Sequence, residues 1–126
     1  MSGESLVVAV IDDDDVLQEA LATLLRASQY DVEQYDSAEA FLASVADSRA
    51  DCLLVDVYLG GISGIELGRG LAAAGFRFPI IYMTGSPDDT LRGRAMQAGC
   101  VAFLTKPFTP PALDEALGAA KRRNRS

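Results

Sequence analysis

The stretch LVVAVIDDDD, residues 6–15, sets six apolar residues against four consecutive carboxylates. Leu6–Ile11 is apolar at every position rather than at alternate ones. That is how a strand covered on both faces reads, as in parallel sheets packed between helices. The aspartates that follow are costly neighbours. Like charges about 4 Å apart repel by roughly 4 kcal/mol at an effective dielectric of about 20. Either a cation offsets that repulsion, or the later members of the run turn to water.

Outward from this stretch the same unit recurs. Val16, Leu17, Ala20, Leu21, Leu24 and Leu25 fall at helical spacing through Ser28. DVEQY (31–35) alternates, as a strand nearer a sheet edge would, and Ser37 can cap a helix carrying Ala40, Phe41, Leu42 and Val45. CLLVDV (52–57) predicts a third strand, GGISG (60–64) a loop, and Ile65–Ala74 a helix stopped by Gly75. PIIYMT (79–84) predicts a fourth strand. Ser86, Pro87 and the aspartates after them suit a helix start, and that helix runs to about Ala98-Gly99. VAFLT (101–105) predicts a fifth strand, and Thr109-Pro110 opens a last helix bearing Leu113, Ala116, Leu117 and Ala120.

Strand and helix alternating five times imply an α/β fold: a doubly wound parallel sheet with helices on both faces. No linker or low-complexity segment divides the 126 residues, so one domain is expected over 1–126, with a core at about 5–121 and a basic tail at 121–126.

A hydrophobic content of 49% suits one compact core. The net charge is −7 and the pI near 4.4, and only KRRNRS at the end is basic. The domain therefore carries no cationic stripe for nucleic acid, and direct nucleic-acid binding is not expected of it. The tail reads as a solvated helix end or the start of a linker. No apolar run approaches the roughly 20 residues of a membrane span, and the N-terminus lacks the features of a secretion signal, so a cytoplasmic location without membrane partners is expected. There is no histidine, and Cys52 and Cys100 have no metal-ligand spacing. Zinc centres and Ser-His or Cys-His catalysis are excluded on that basis.

Sheets of this class bind ligands outside the carboxyl ends of their strands, where strand order reverses. Strand one ends on Asp12 and Asp13, strand three on Asp56, strand four on Thr84, and strand five on Lys106. Three carboxylates from two strands make a hard, oxygen-rich site suited to magnesium, with room for a phosphate oxygen. Lys106 adds a positive charge and Thr84 a hydroxyl, both matched to phosphoryl oxygens. An aspartate at the centre of such a site can itself be the nucleophile. The reading from residues alone is a magnesium site that accepts a phosphoryl group on a carboxylate.

These residues resemble the receiver domain of two-component response regulators, and within it the FixJ-like group. The resemblance rests on VIDDD near the start, SAEAFL (37–42), LLVDV (53–57), SGIEL (63–67), MTG (83–85), AMQAG (95–99) and FLTKPF (103–108). It covers essentially the whole chain. It implies a flavodoxin-like sheet of strand order 2-1-3-4-5, a phosphoacceptor at Asp56, and an acidic pair, Asp12 and Asp13, that holds Mg2+ with Asp56 and the carbonyl of Tyr58. It further implies that Thr84 and Lys106 bind the phosphoryl oxygens, that Phe103 is the switch aromatic, and that Pro107 follows a cis Lys-Pro bond. The donor would be a histidine kinase or a phosphotransfer protein, and phosphorylation would alter a partner or homodimer surface. The implied strand order also separates Cys52 from Cys100 by two strands, roughly 9–10 Å. That exceeds the roughly 7 Å limit for a disulfide, so two buried thiols are expected.

The chain departs from the family pattern beside Asp56. Where the family writes a proline four residues after the acceptor, this sequence has Gly60, with Gly61 next, and the expectation is a mobile loop or a shifted geometry. Tyr58 stands where side chains in this family influence loss of the phosphoryl group. Three other readings remain open at this point. Asp12-Asp13-Asp14-Asp15-Val16 also fits the opening of a haloacid-dehalogenase-like phosphatase, with Asp12 as nucleophile and Asp14 as acid/base. A docking-only pseudo-receiver would keep the fold without the chemistry. A flavodoxin-like flavin binder would share the architecture, although four aspartates repel its phosphate. Asp14 and Asp15 have a plainer reading as acids at a helix N-terminus.

Overall fold

Every strand in this molecule points the same way, so every strand delivers its last residue to the same rim. The computed structural model describes residues 6–85, 89–97 and 99–124. In chain order the elements are β1 (Val7–Ile11), α1 (Asp15–Ala27), β2 (Asp31–Tyr35) and α2 (Ala38–Ser44), which tightens into a 3₁₀ turn at Val45–Asp47. There follow β3 (Cys52–Asp56), α3 (Gly64–Ala73), β4 (Ile80–Thr84), α4 (Asp89–Met96), β5 (Cys100–Thr105) and α5 (Pro110–Asn124). All strand pairings are parallel, in the order β2-β1-β3-β4-β5. The reversal of strand order falls between β1 and β3, which places Asp12 beside Asp56.

The continuous apolar runs of β1, β3 and β4 are explained by two separate cores. On one face Val8, Val10, Leu54, Ile81 and Met83 pack with Leu21 and Leu25 of α1 and Leu113 and Leu117 of α5. On the other face Ala9, Ile11, Leu53, Val55 and Tyr82 pack with Phe41, Ile65, Leu67, Leu71 and Ala95 of α2, α3 and α4. Each fully buried Leu, Ile or Phe here contributes about 1.5–3 kcal/mol of transfer free energy, so neither face tolerates a register slip.

Helix starts follow the caps that the sequence offers. Ser37 accepts from the Ala40 N–H at 3.0 Å, and Thr109 Oγ1 from the Ala112 N–H at 3.2 Å. Ser63 and Glu66 make a reciprocal capping box at the start of α3, which begins one residue earlier than the periodicity predicts. Gly75 follows α3 at φ +91°, where a side chain would be strained. The predicted caps of α4 at Ser86 and Pro87, and its predicted end at Ala98, lie outside the described residues.

Two expectations shift in detail. β5 begins at Cys100 rather than Val101, because Ile80 pairs with Cys100 and Ile81 with Ala102, leaving Val101 as a bulge. Neither cysteine is in a disulfide. Cys52 is fully buried, and desolvation, with the nearby charge of Asp51, pushes its thiol up to about 12. Cys100 is only half-buried, which corrects the expected pair of buried thiols; its S–H donates to the Ala102 carbonyl at 3.1 Å. The basic tail begins as a helix end, one of the two readings given to it: Lys121, Arg122 and Arg123 form the last turn of α5, where cations favour the helix dipole. Lys121 Nζ lies 4.9 Å from the centroid of the Tyr30 ring.

One glycine fixes how closely α3 approaches the end of β3. The Gly64 N–H donates to the Val57 carbonyl at 2.9 Å, and a Cβ at this position would press on the Asp56 carbonyl oxygen and come within 2.8 Å of Val55 Cγ1. Gly64→Ala is therefore expected to cost about 2 kcal/mol of stability, read as a lower urea midpoint at constant m-value. An unchanged midpoint would mean that α3 backs away freely.

Candidate functional site

Asp12 directly follows β1, Asp56 ends β3, Thr84 ends β4 and Lys106 directly follows β5, so parallel register alone brings these residues to one rim. Carboxylate oxygens of Asp12, Asp13 and Asp56 all lie within 4.8 Å of one another. Asp12 is fully buried and Asp56 nearly so, whereas Asp13 is exposed. The Lys106 ammonium reaches Asp56 Oδ2 at 2.8 Å and Asp12 Oδ2 at 3.3 Å. The remaining oxygens are held by main chain: Asp56 Oδ1 accepts from the Tyr58 N–H and Asp12 Oδ1 from the Asp14 N–H, both at 2.9 Å. Each buried carboxylate thus turns one oxygen to a backbone amide and the other to the shared ammonium.

The four-aspartate run divides as its electrostatics demand. Asp14 Oδ1 accepts from the Val16 and Leu17 N–H groups at 3.0 and 3.1 Å and caps α1, while Asp15 occupies the first turn. Asp14 is therefore committed to the helix and does not join the cluster, which removes the acid/base role that the phosphatase reading gives it.

The remaining predicted residues are placed as follows. Thr84 is completely buried. The Lys106 N–H donates to the Thr84 carbonyl at 2.8 Å, tying the ends of β4 and β5. Lys106-Pro107 is cis. Phe103 is half-buried and packs on the core beneath α2, α3 and α4. Tyr58, whose N–H bonds Asp56, is 56% exposed.

The loop after Asp56 holds a residue that the sequence reading missed. Glu39, in the first turn of α2, accepts from the Ile62 N–H through Oε2 at 3.2 Å. A Cβ on Gly61 would stand 2.5 Å from that oxygen, so glycine at 61 is what admits the carboxylate. Gly60 has no such need: its φ lies outside the left-handed region, and an added Cβ would meet only Asp13 Oδ2 at an ordinary 3.6 Å. Nothing in the spacing of SAEAFL marks Glu39, because the pairing spans 23 residues of chain.

Charge balance defines what the cluster can hold. Three carboxylates against one ammonium leave two negative charges in a space under 5 Å across, matched to one divalent cation with oxygen ligands. Burial raises the Asp12 pKa, and the charge of Asp56 adds to it, although the Asp14 N–H and Lys106 oppose the shift. Burial would lower the Lys106 pKa, but its hydrogen bond to Asp56 and the charges of both aspartates hold it above the ordinary value.

A carboxyl group whose folded pKa is raised stabilises the fold below its unfolded pKa, and that stabilisation is lost as pH rises through the folded pKa. At neutral pH without metal, Asp12 is thus a strained charge. Asp12→Asn keeps the acceptor for the Asp14 N–H and leaves Lys106 to Asp56. It is expected to stabilise the metal-free protein by about 1 kcal/mol, a Tm increase of roughly 3–5 °C in a chelator, with a smaller gain as pH falls through the raised Asp12 pKa. A fall in Tm would show that Lys106 fully compensates Asp12.

With this geometry in place, likeness to known proteins becomes informative. The family described as the response regulator receiver domain matches residues 8–118. The transcriptional regulatory protein FixJ of Azorhizobium caulinodans is 44% identical over 121 residues, which cover 96% of this chain and 57% of that protein. The response regulator protein TodT of Pseudomonas putida is 38% identical over 121 residues, covering 96% of this chain and 52% of TodT. The chain thus spans about half the length of the curated relatives it matches. Among solved structures, FixJ-N superposes with a TM-score of 0.87 at 34% identity, covering 94% of this chain and 95% of that one. The chain belongs to the response regulator receiver domain family, as a FixJ-like member of two-component signalling.

Proposed function

We propose that Asp56 is the phosphoacceptor of this receiver and that it takes its phosphoryl group from a phosphohistidine on a sensor kinase or phosphotransfer protein. One observation carries the reading: Asp12, Asp13 and Asp56 converge within 4.8 Å, and Lys106 bridges the two buried members. A carboxylate oxygen of Asp56 attacks phosphorus as the phosphorus–nitrogen bond of the donor breaks, and the imidazole nitrogen keeps the bonding pair. Asp12, Asp13, Asp56 and the Tyr58 carbonyl would hold Mg2+, which when bound neutralises charge on the transferring oxygens. Lys106 and the Thr84 hydroxyl grip the phosphoryl oxygens, with Lys106 already poised by two carboxylates. The domain modifies itself and signals; turnover of an external substrate is not part of the reading.

The output follows from what adjoins the site. Thr84 drawn toward a phosphoryl oxygen frees space at the end of β4, and Phe103 on β5 responds, with Pro107 holding the chain beyond it. Phe103, Pro107 and Phe108 also line a groove of 610 Å³ between β5 and α5, with Ala112, Ala116 and Arg122. β5 is an edge of the sheet, so this face is open to a partner or a second copy of the domain. No helix among the described residues is long and apolar enough to cross a membrane.

Intact mass after incubation with a small phosphodonor tests the assignment. One magnesium-dependent phosphoryl adduct is expected on the native chain and none on Asp56→Asn. An adduct that persists in Asp56→Asn would move the acceptor elsewhere, and none on the native chain would leave a docking-only domain. Tyr58 stands exposed beside Asp56, so Tyr58→Asn is expected to change the decay rate of the adduct several-fold while phosphorylation persists. An unchanged decay rate would remove Tyr58 from the chemistry.

A further inference from the structure

The buried polar side chains among the described residues are Asp12, Asp56, Thr84 and Gln18. The first three belong to the proposed site. Gln18 is on α1, and nothing in its sequence context distinguishes it from a solvated helix position. Its amide is nevertheless fully used. Nε2 donates to the Asp12 carbonyl at 3.0 Å and to the Tyr35 carbonyl at 2.6 Å, and Oε1 accepts from Gln34 Nε2 at 3.1 Å. Two carbonyl partners can be met only by the NH2 group, which fixes the orientation of the amide.

The place of these bonds matters more than their number. The β1–β2 ladder ends at the pair Ile11 and Tyr35, and one more bond follows, from the Asp12 N–H to the Tyr35 carbonyl at 3.2 Å. Beyond that point the strands part and the chain turns into α1. The Asp12 carbonyl is half of the peptide unit joining Asp12 to Asp13. Whichever way that carbonyl points, the Asp13 N–H points oppositely, and the Asp13 side chain is aimed accordingly. Asp12 must face the buried interior toward Lys106 while Asp13 faces the rim, yet their oxygens have to meet within 4.8 Å. A hinge of that kind needs something to hold it.

We propose that Gln18 is a positioning residue for the acidic cluster: by gripping the Asp12 carbonyl it fixes the peptide that aims Asp12 and Asp13 at one cation. This rests on the magnesium reading of the site above. Gln18 touches neither metal nor phosphoryl group and acts through the main chain between two ligands. Outer hydrogen-bond partners of metal ligands typically govern affinity by about 10–100-fold, and Gln18 does so here through a carbonyl rather than a ligand atom.

The test is calorimetric titration of Mg2+ into the full chain, beside urea unfolding in chelator. Gln18→Met keeps the length of the side chain and removes both donors, and it is expected to weaken Mg2+ binding about ten-fold. Gln34→Ala removes the partner of Gln18 Oε1 without touching either carbonyl, and is expected to lower the urea midpoint while Mg2+ affinity stays within about two-fold of native. If Gln18→Met lowers the midpoint but binds Mg2+ like the native chain, Gln18 only pins β1 to β2 and the inference falls while the magnesium reading stands. If the native chain takes up no Mg2+, both fall together. Should Gln18→Met not fold, Gln18→Asn, one methylene too short to span the two carbonyls, is read in its place with the same expected loss.

Discussion

One ammonium group ties three strands together at the rim of this sheet. Lys106 is 94 residues from Asp12 and 50 from Asp56, yet its Nζ bonds to both. Parallel topology makes the meeting possible, because β1, β3 and β5 all end at the same edge. The same topology makes it necessary, because it also drives the buried Asp12 and the nearly buried Asp56 together. Without the lysine, the two carboxylates would face each other uncompensated, which would push the already raised Asp12 pKa further up.

The way the surrounding loops are built follows from that constraint. Backbone amides of Asp14 and Tyr58 take the outer oxygens of the two buried carboxylates, so that their lone pairs are used in the absence of any ligand. Gly64 lets α3 close against the end of β3. Gly61 lets Glu39 hold the loop that carries Tyr58. The expectation of a loosened loop therefore resolves into two unlike glycines. A side chain at 61 would have to displace the Glu39 carboxylate, whereas one at 60 would meet only ordinary contact with Asp13.

Much of this was legible in the sequence because the decisive signals are local. Continuous apolar runs announce doubly covered strands, and residues at strand ends announce the rim, so Asp12, Asp13, Asp56, Thr84 and Lys106 could be named without coordinates. The division of the DDDD run between metal-type acids and helix-capping acids was equally visible, since a strand end and a helix start compete for the same four residues. What escaped were contacts whose partners are chosen by tertiary packing. Gln18 looks like any polar residue on an amphipathic helix until β2 supplies the Tyr35 carbonyl and Gln34. Glu39 looks like any first-turn acid until the β3–α3 loop crosses it. The bulge that moves Cys100 into β5 and leaves it half-buried depends on register against Ile80, which no single segment encodes.

The site also shows why local rules break where function resides. A sequence optimised for stability alone would not bury Asp12, whose pKa burial raises, nor place three carboxylates around one lysine. That arrangement leaves the cluster with an unbalanced charge of two, and anything that neutralises or redistributes the charge acts on the ends of β1, β3 and β5. A cation at the acids stabilises the folded state by mass action. A phosphoryl group on Asp56 adds charge and acceptor oxygens within reach of Lys106 and next to the end of β4. Under the proposed function, that strain is what would let a chemical change at the rim reach β4 and β5.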